Sequence, residues 1–246
     1  MRGEPPIRIA MWSGPRNIST AMMRSFENRA DCAVTDEPFY AAYLARTGVD
    51  HPLREAVLDS QPTDPVAVAR TLIGAAPGGA ALWYQKHMAQ HILPGDPLDW
   101  TADLRNAFLI RDPRAVVASF AKARGRPAPF ELGFERQAEI FDHVRAATGE
   151  TPPVMDAADI LGAPARALPA LCRALAIPFD PAMLAWPAGR RESDGVWAPV
   201  WYKAVEASTG FAAPSPPPAT LPPALAEIAE SCRPAYDRLA AHRLSV

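Results

Sequence analysis

Three groups of residues in this 246-residue chain have types and spacings suited to chemistry. The first is Ser13-Gly14-Pro15-Arg16-Asn17-Ile18-Ser19-Thr20, set between an apolar run (Ile7 to Trp12) and a helical pattern. A loop that feeds a helix offers free backbone N–H groups and the positive end of the helix dipole, and both favour an anion. Gly14 can take backbone angles that let the main chain approach a ligand. Arg16 adds a permanent cation, and Ser19 and Thr20 add hydroxyl donors. The pattern Gly-x-x-x-x-Gly-Lys-Ser/Thr fails here, because Asn17-Ile18 stand where Gly-Lys would be. Without that lysine, Mg²⁺-dependent triphosphate chemistry loses its main cation.

The second group lies in FLIRDPRAVVASF (108–120). Arg111 follows an apolar run, and Ser119 falls two turns into the next helix. A guanidinium can grip a phosphate through two parallel hydrogen bonds. The third group is acid–base in type. Glu37, in VTDEPFY, and the adjacent pair Lys86-His87, in WYQKHMAQH, each follow or end an apolar run. A hydroxyl acceptor needs a base within hydrogen-bond reach. Adjacent side chains on a strand point to opposite faces, so either Lys86 or His87 can face a ligand, not both. Glu37 and His87 therefore compete as the base. His91 reads as a surface helix residue.

These groups need a frame that brings loop ends together. Short apolar runs predict strands at Ile7 to Trp12, Cys32 to Thr35, Ala81 to Lys86, Ala107 to Ile110 and Pro153 to Asp156. Helical patterns fall near 17–30, 64–75, 112–124, 131–148, 164–176 and 222–242. Asp112-Pro113 and Asp64-Pro65 are helix starts, with an Asp cap and a proline whose missing N–H costs nothing there. The alternation predicts an α/β fold, a mostly parallel sheet with helices on both faces. Ligands of such sheets bind beyond the carboxyl ends of the strands. The length suits a single domain over 1–246, with a Pro-rich linker near 211–223 before the last helix. Residues 186–215 show no clear period and read as a long loop.

Composition narrows the function classes. The net charge of −2 argues against a nucleic-acid partner bound over a broad basic face. Three widely spaced cysteines without Cys-x-x-Cys predict neither a disulfide framework nor a structural zinc site. No apolar run is long enough to span a bilayer, and the first residues lack a signal-peptide core, so a cytoplasmic location is expected.

The segment RDPRAVVAS resembles the 3′-phosphate-binding segment of the sulfotransferase family, Arg-Asp/Asn-Pro with a serine six residues beyond the proline. SGPRNIST is similar to that family's 5′-phosphosulfate loop, with Arg16 at its basic position. Arg190-Arg191-Glu192-Ser193-Asp194-Gly195-Val196-Trp197 is similar to the Arg-Lys-Gly-x-x-Gly-x-Trp loop that closes over the cofactor. The three segments occur in family order. The resemblance implies a three-layer P-loop-like fold and 3′-phosphoadenosine-5′-phosphosulfate (PAPS) as cosubstrate. It implies sulfonate transfer to a hydroxyl or amine of a small-molecule acceptor, with no metal. Arg111 and Ser119, helped by Arg190 and Arg191, would hold the 3′-phosphate. Gly14, Pro15, Arg16, Asn17, Ile18, Ser19 and Thr20 would hold the phosphosulfate. Glu37 resembles the proposed base of bacterial members, and Lys86-His87 resembles the Lys-x-His of the cytosolic branch with one residue missing. Ile18, Ala21 and Glu192 depart from the family pattern. A P-loop kinase and a non-catalytic nucleotide-binding relative are the alternative readings.

Overall fold

The five apolar runs become five strands in the computed structural model, which describes residues 5–246. They are β1 (Ile7–Ser13), β2 (Cys32–Asp36), β3 (Leu82–Met88), β4 (Arg105–Ile110) and β5 (Val154–Asp156). All neighbours pair in parallel, in the order β2-β3-β1-β4-β5. The sheet is therefore wholly parallel. After β1 the chain runs to one side, and with β4 it resumes on the other. That reversal sets the loops after β1 and β4 side by side, at the switch point where such sheets bind ligands.

Side chains alternate along β1 and sort into two cores. Ile9 and Met11 face α1 (Ser19–Glu27), α2 (Tyr40–Thr47), α3 (Arg54–Ser60), α8 (Ala157–Gly162) and α9 (Pro164–Ala174). Ala10 and Trp12 face α4 (Pro65–Leu72), α5 (Pro113–Arg124), α6 (Pro129–Leu132), α7 (Phe134–Thr148) and α12 (Pro223–Ala240). This is a three-layer arrangement. Asp64 and Asp112 cap α4 and α5 as their Asp-Pro starts predict, each accepting from a backbone N–H.

Some expectations change. The helix expected over 17–30 is confined to Ser19–Glu27, because Ile18 takes a left-handed conformation. The loop expected over 186–215 contains two short helices, α10 (Ala198–Trp201) and α11 (Lys203–Glu206). It is anchored by Trp197 and Tyr202, both buried in the core that contains Met11. Among the described residues, no helix is long and apolar enough to cross a membrane.

Candidate active site

A cavity of about 350 Å³ opens at the carboxyl rim of the sheet. Its first wall is the loop after β1. Asn17 ties that loop to β4 by donating from Nδ2 to the Leu109 carbonyl (2.6 Å). Gln137 of α7 donates to the carbonyls of both Trp12 and Leu109 (2.9 Å each) and clamps the two strand ends together. Gly14 lies within this packing. A Cβ there would meet the Leu132 carbonyl oxygen at 2.5 Å, and its φ is not positive. The approach of α6 is by itself enough to require a glycine here.

Arg16, Arg111 and Ser119 converge across this rim. Arg16 Nε donates to Ser119 Oγ (2.9 Å), and Arg111 Nη1 donates to the Arg16 carbonyl (2.7 Å). Among the described residues, neither guanidinium has a carboxylate within 4.0 Å. Asp112 instead pairs with Arg233, and Asp142 with Arg238. Burial lowers the pKa of both arginines, and the neighbouring Arg16 charge adds to the effect at Arg111. Two adjacent, partly desolvated cations repel unless an anion compensates them. The start of α1 adds to the demand. Ile18 gives no side-chain cap, and the first turn carries no acidic residue.

Among the described residues, three of the five non-glycine residues with positive φ line this cavity: Arg16 (59°), Ile18 (47°) and Glu37 (42°). Left-handed backbone costs an L-residue about 1–2 kcal/mol, and such strain concentrates at functional sites. Ile18 shows the cost best, being β-branched. We expect Ile18→Gly to be more stable than Ile18→Ala by about 1 kcal/mol, although alanine keeps more side chain. Chemical denaturation of the two variants checks this order.

The second wall carries the acid–base cluster. β3 turns Lys86 toward the cavity and His87 away from it. Lys86 Nζ donates to Asp36 Oδ1 (2.8 Å), Tyr202 Oη (2.9 Å) and Glu37 Oε1. An ammonium has three donors, so all are used inside the protein. Tyr202 donates in turn to Asp36 (2.7 Å) and accepts from Trp197 Nε1 (3.1 Å). Burial raises the Glu37 pKa above its ordinary range, and the Lys86 charge partly offsets this. Glu37 is thus a carboxyl held in one orientation with Oε2 free of Lys86. Its positive φ and the hydrogen bond from Gln61 Nε2 to its carbonyl (3.1 Å) fix the turn that presents it.

His87 is not in the cavity. It stacks on Trp12 at a centroid distance of 4.5 Å and contacts Phe39 and Trp100, with Nε2 3.2 Å from Gln85 Oε1. Of the two competing bases, only Glu37 lines the site. Burial lowers the His87 pKa to about 3. The native state therefore holds His87 neutral, while the unfolded chain protonates it near the ordinary imidazole value of about 6.5. Stability linked to His87 is present above pH ~6.5 and is lost as pH falls toward the folded pKa. His87→Phe, which fits the aromatic stack, is expected to flatten the fall in melting temperature between pH ~6.5 and ~4. Thermal melts of both proteins across that range check it.

Arg190 and Arg191 do not line the cavity. Their loop is held against α1 and β2 instead. Asp194 makes a buried ion pair with Arg24 (2.6 Å) and accepts from the Arg191 backbone N–H (2.8 Å), while Gly195 N donates to Asp36 (3.2 Å). Arg190 is exposed, 3.9 Å from Glu206. Tyr202, Arg124, His51 and His91, which sequence reasoning did not place in the site, also line the cavity. Arg124 lies five residues beyond Ser119 on α5, a spacing outside the i, i+3 and i, i+4 rule for a shared helix face, so no local signal announces it. His91 is buried rather than on the surface, stacked on Tyr40 and Tyr43.

A wholly parallel sheet between two helical layers, with the loop from β1 to α1 at its switch point, defines a P-loop-like α/β protein. The chain belongs to the sulfotransferase domain family, whose profile matches residues 7–242. Its fold is similar to that of a sulfotransferase domain from the curacin biosynthetic pathway (17% identity, 93% of this chain and 98% of that one, TM-score 0.53). It is also similar to a sulfotransferase from Alicyclobacillus acidocaldarius (13% identity, 99% and 98%, TM-score 0.57). Two curated proteins of Arabidopsis thaliana, branched-chain-amino-acid aminotransferase-like proteins 2 and 1, are 37% and 38% identical over 95% and 97% of this chain. The chain spans only 41% and 42% of their lengths, about two-fifths of each.

Proposed function

We propose that this chain moves the sulfonate of PAPS to a small-molecule acceptor hydroxyl or amine. The observation that carries the reading is the pair Arg16 and Arg111, neither of them ion-paired among the described residues, joined by Arg111 Nη1 donating to the Arg16 carbonyl and set in one cavity with Ser119 and Glu37. That donor set fits a nucleotide with phosphates at two positions. Arg111 and Ser119 would hold the 3′-phosphate. Arg16, Ser19, Thr20 and the N–H groups opening α1 would hold the 5′-phosphosulfate. When bound, PAPS supplies an activated sulfonate whose leaving group is a phosphate.

The chain's own residues do the rest. Fixed N–H dipoles and Arg16 stabilise negative charge growing at the 5′ end without rearranging, an effect typically worth about 3 kcal/mol per donor. Glu37 takes the acceptor proton. Lys86 keeps Glu37 in place, and its three filled donor positions leave it a positioning role.

The test is a comparison of nucleotides by thermal shift. 3′-Phosphoadenosine-5′-phosphate (PAP) is expected to stabilise the protein more than ADP or ATP, because only PAP has a 3′-phosphate. Arg111→Ala is expected to lose most of that preference, as a charge-assisted hydrogen bond is worth about 1.5–3 kcal/mol. Equal shifts from all three nucleotides with the unaltered protein would overturn the reading.

A further inference from the structure

On the strand face that carries Lys86, the next side chain is Met88, because neighbours alternate. A Lys-x-His spacing would put an imidazole at 88, where a thioether lines the cavity instead. A thioether cannot donate a hydrogen bond and accepts only weakly. An imidazole nevertheless reaches the cavity from the short turn Ala89–His91 that follows β3. The His91 ring is stacked on both Tyr40 and Tyr43, with centroids 4.6 and 4.9 Å away and planes inclined by 13° and 25°. The two stacks fix its orientation. Its side chain is 3% exposed, and among the described residues Nδ1 has no hydrogen-bond partner. Buried polar atoms are rarely left so. Glu37 Oε2 lies 3.9 Å from that nitrogen. The gap is too long for a hydrogen bond and short enough for one oxygen to bridge. Glu37 Oε1 is already taken by Lys86, so Oε2 is the open atom.

We propose that Glu37 Oε2 and His91 Nδ1–H together hold the nucleophilic oxygen of the acceptor, and that the acceptor is therefore an alcohol, not an alkyl amine. This rests on the sulfotransferase reading. An alcohol oxygen donates its one proton to Glu37 and accepts from His91 with a lone pair. An alkyl amine at neutral pH is an ammonium ion, which has no lone pair to offer. In the transfer, the acceptor oxygen forms the new bond to sulfur, the bond from sulfur to the 5′-phosphate oxygen breaks, and the acceptor proton passes to Glu37.

The experiment uses the full chain, PAPS labelled in its sulfonate, and a matched pair of aromatic probes suited to the aromatic wall, 2-phenylethanol and 2-phenylethylamine. Label is expected on the alcohol and not on the amine. His91→Phe preserves ring stacking and is expected to lower alcohol turnover at least about tenfold while the PAP thermal shift is unchanged. His91→Asn places a polar N–H near the Nδ1 position and is expected to recover part of the rate. His91→Gln, polar near Nε2 instead, is not. Equal or greater labelling of the amine, wild-type turnover in His91→Phe, or recovery by Gln but not Asn would each overturn the proposal. No label on either probe, with PAP still stabilising the protein, would also overturn it and leave the sulfotransferase reading standing. Loss of PAP stabilisation would count against that reading itself.

Discussion

Glu37→Gln is expected to lower the rate of PAP release from PAPS in the presence of acceptor by about 10²–10⁴, the usual contribution of a general base. The substitution keeps the shape of the side chain and an oxygen that can accept from Lys86 Nζ, and Asp36 remains to neutralise the ammonium. The PAP thermal shift is therefore expected to stay near its wild-type value, which separates lost chemistry from lost binding. The pH dependence gives a second readout. A base works when deprotonated, so the rate rises with pH through the pKa of Glu37. Burial raises that pKa, so the limb lies above the ordinary carboxylate range. The groups facing Glu37 are Lys86, Asp36, Tyr202 and His91. Burial first, with nearby His51, Lys86 and His87 adding to it, lowers the His91 pKa well below the ordinary imidazole value. His91 thus stays neutral and adds no second limb near pH 6.5. The variant should lack the rising limb. Near-native turnover in Glu37→Gln would show that another group takes the proton.

The frame of this site is legible in the sequence because it depends on short-range rules. Apolar runs marked all five strands, and parallel topology then placed the loops after β1 and β4 on one rim. That is how Arg111 is expected on the same rim as the loop that carries Arg16, 95 residues before it. The helix Tyr40–Thr47 was not legible, for a physical reason. Tyr40, Ala41, Ala42, Tyr43 and Leu44 are all at most 3% exposed, so there is no polar face and no period to detect. His91 was misplaced for a related reason. A single turn carries no periodicity, and only the packing of α2 over it reveals burial. The alternation rule left Lys86 and His87 as equal choices, since it gives opposite faces without saying which is which. Tyr202 lies 116 residues beyond Lys86, in a loop without a pattern, and nothing local announces their contact.

Lys86→Met is expected to destabilise the protein by about 3–5 kcal/mol, because it removes one partner from a buried ion cluster and leaves the others uncompensated. Lys86 and Asp36 are each 1% exposed, and Glu37 lies beside them. In the variant, two carboxylates would share a dry site with Tyr202, the Gly195 N–H and the neutral His91 ring as neighbours. Like charges at such distances raise the pKa of at least one of the pair. A folded-state pKa above the unfolded value means that the native state binds the extra proton. The variant should therefore gain stability, relative to the unaltered protein, as pH falls through that raised pKa. Denaturant melts at pH ~8 and ~5 read the difference as a change in midpoint, with the slope expected to hold if the folded state keeps its compactness. Adding Asp36→Asn to Lys86→Met should restore part of the loss, since it removes one of the stranded charges. A destabilisation that is independent of pH and untouched by Asp36→Asn would mean that Lys86 acts through packing, and that the orientation of Glu37 does not depend on charge compensation.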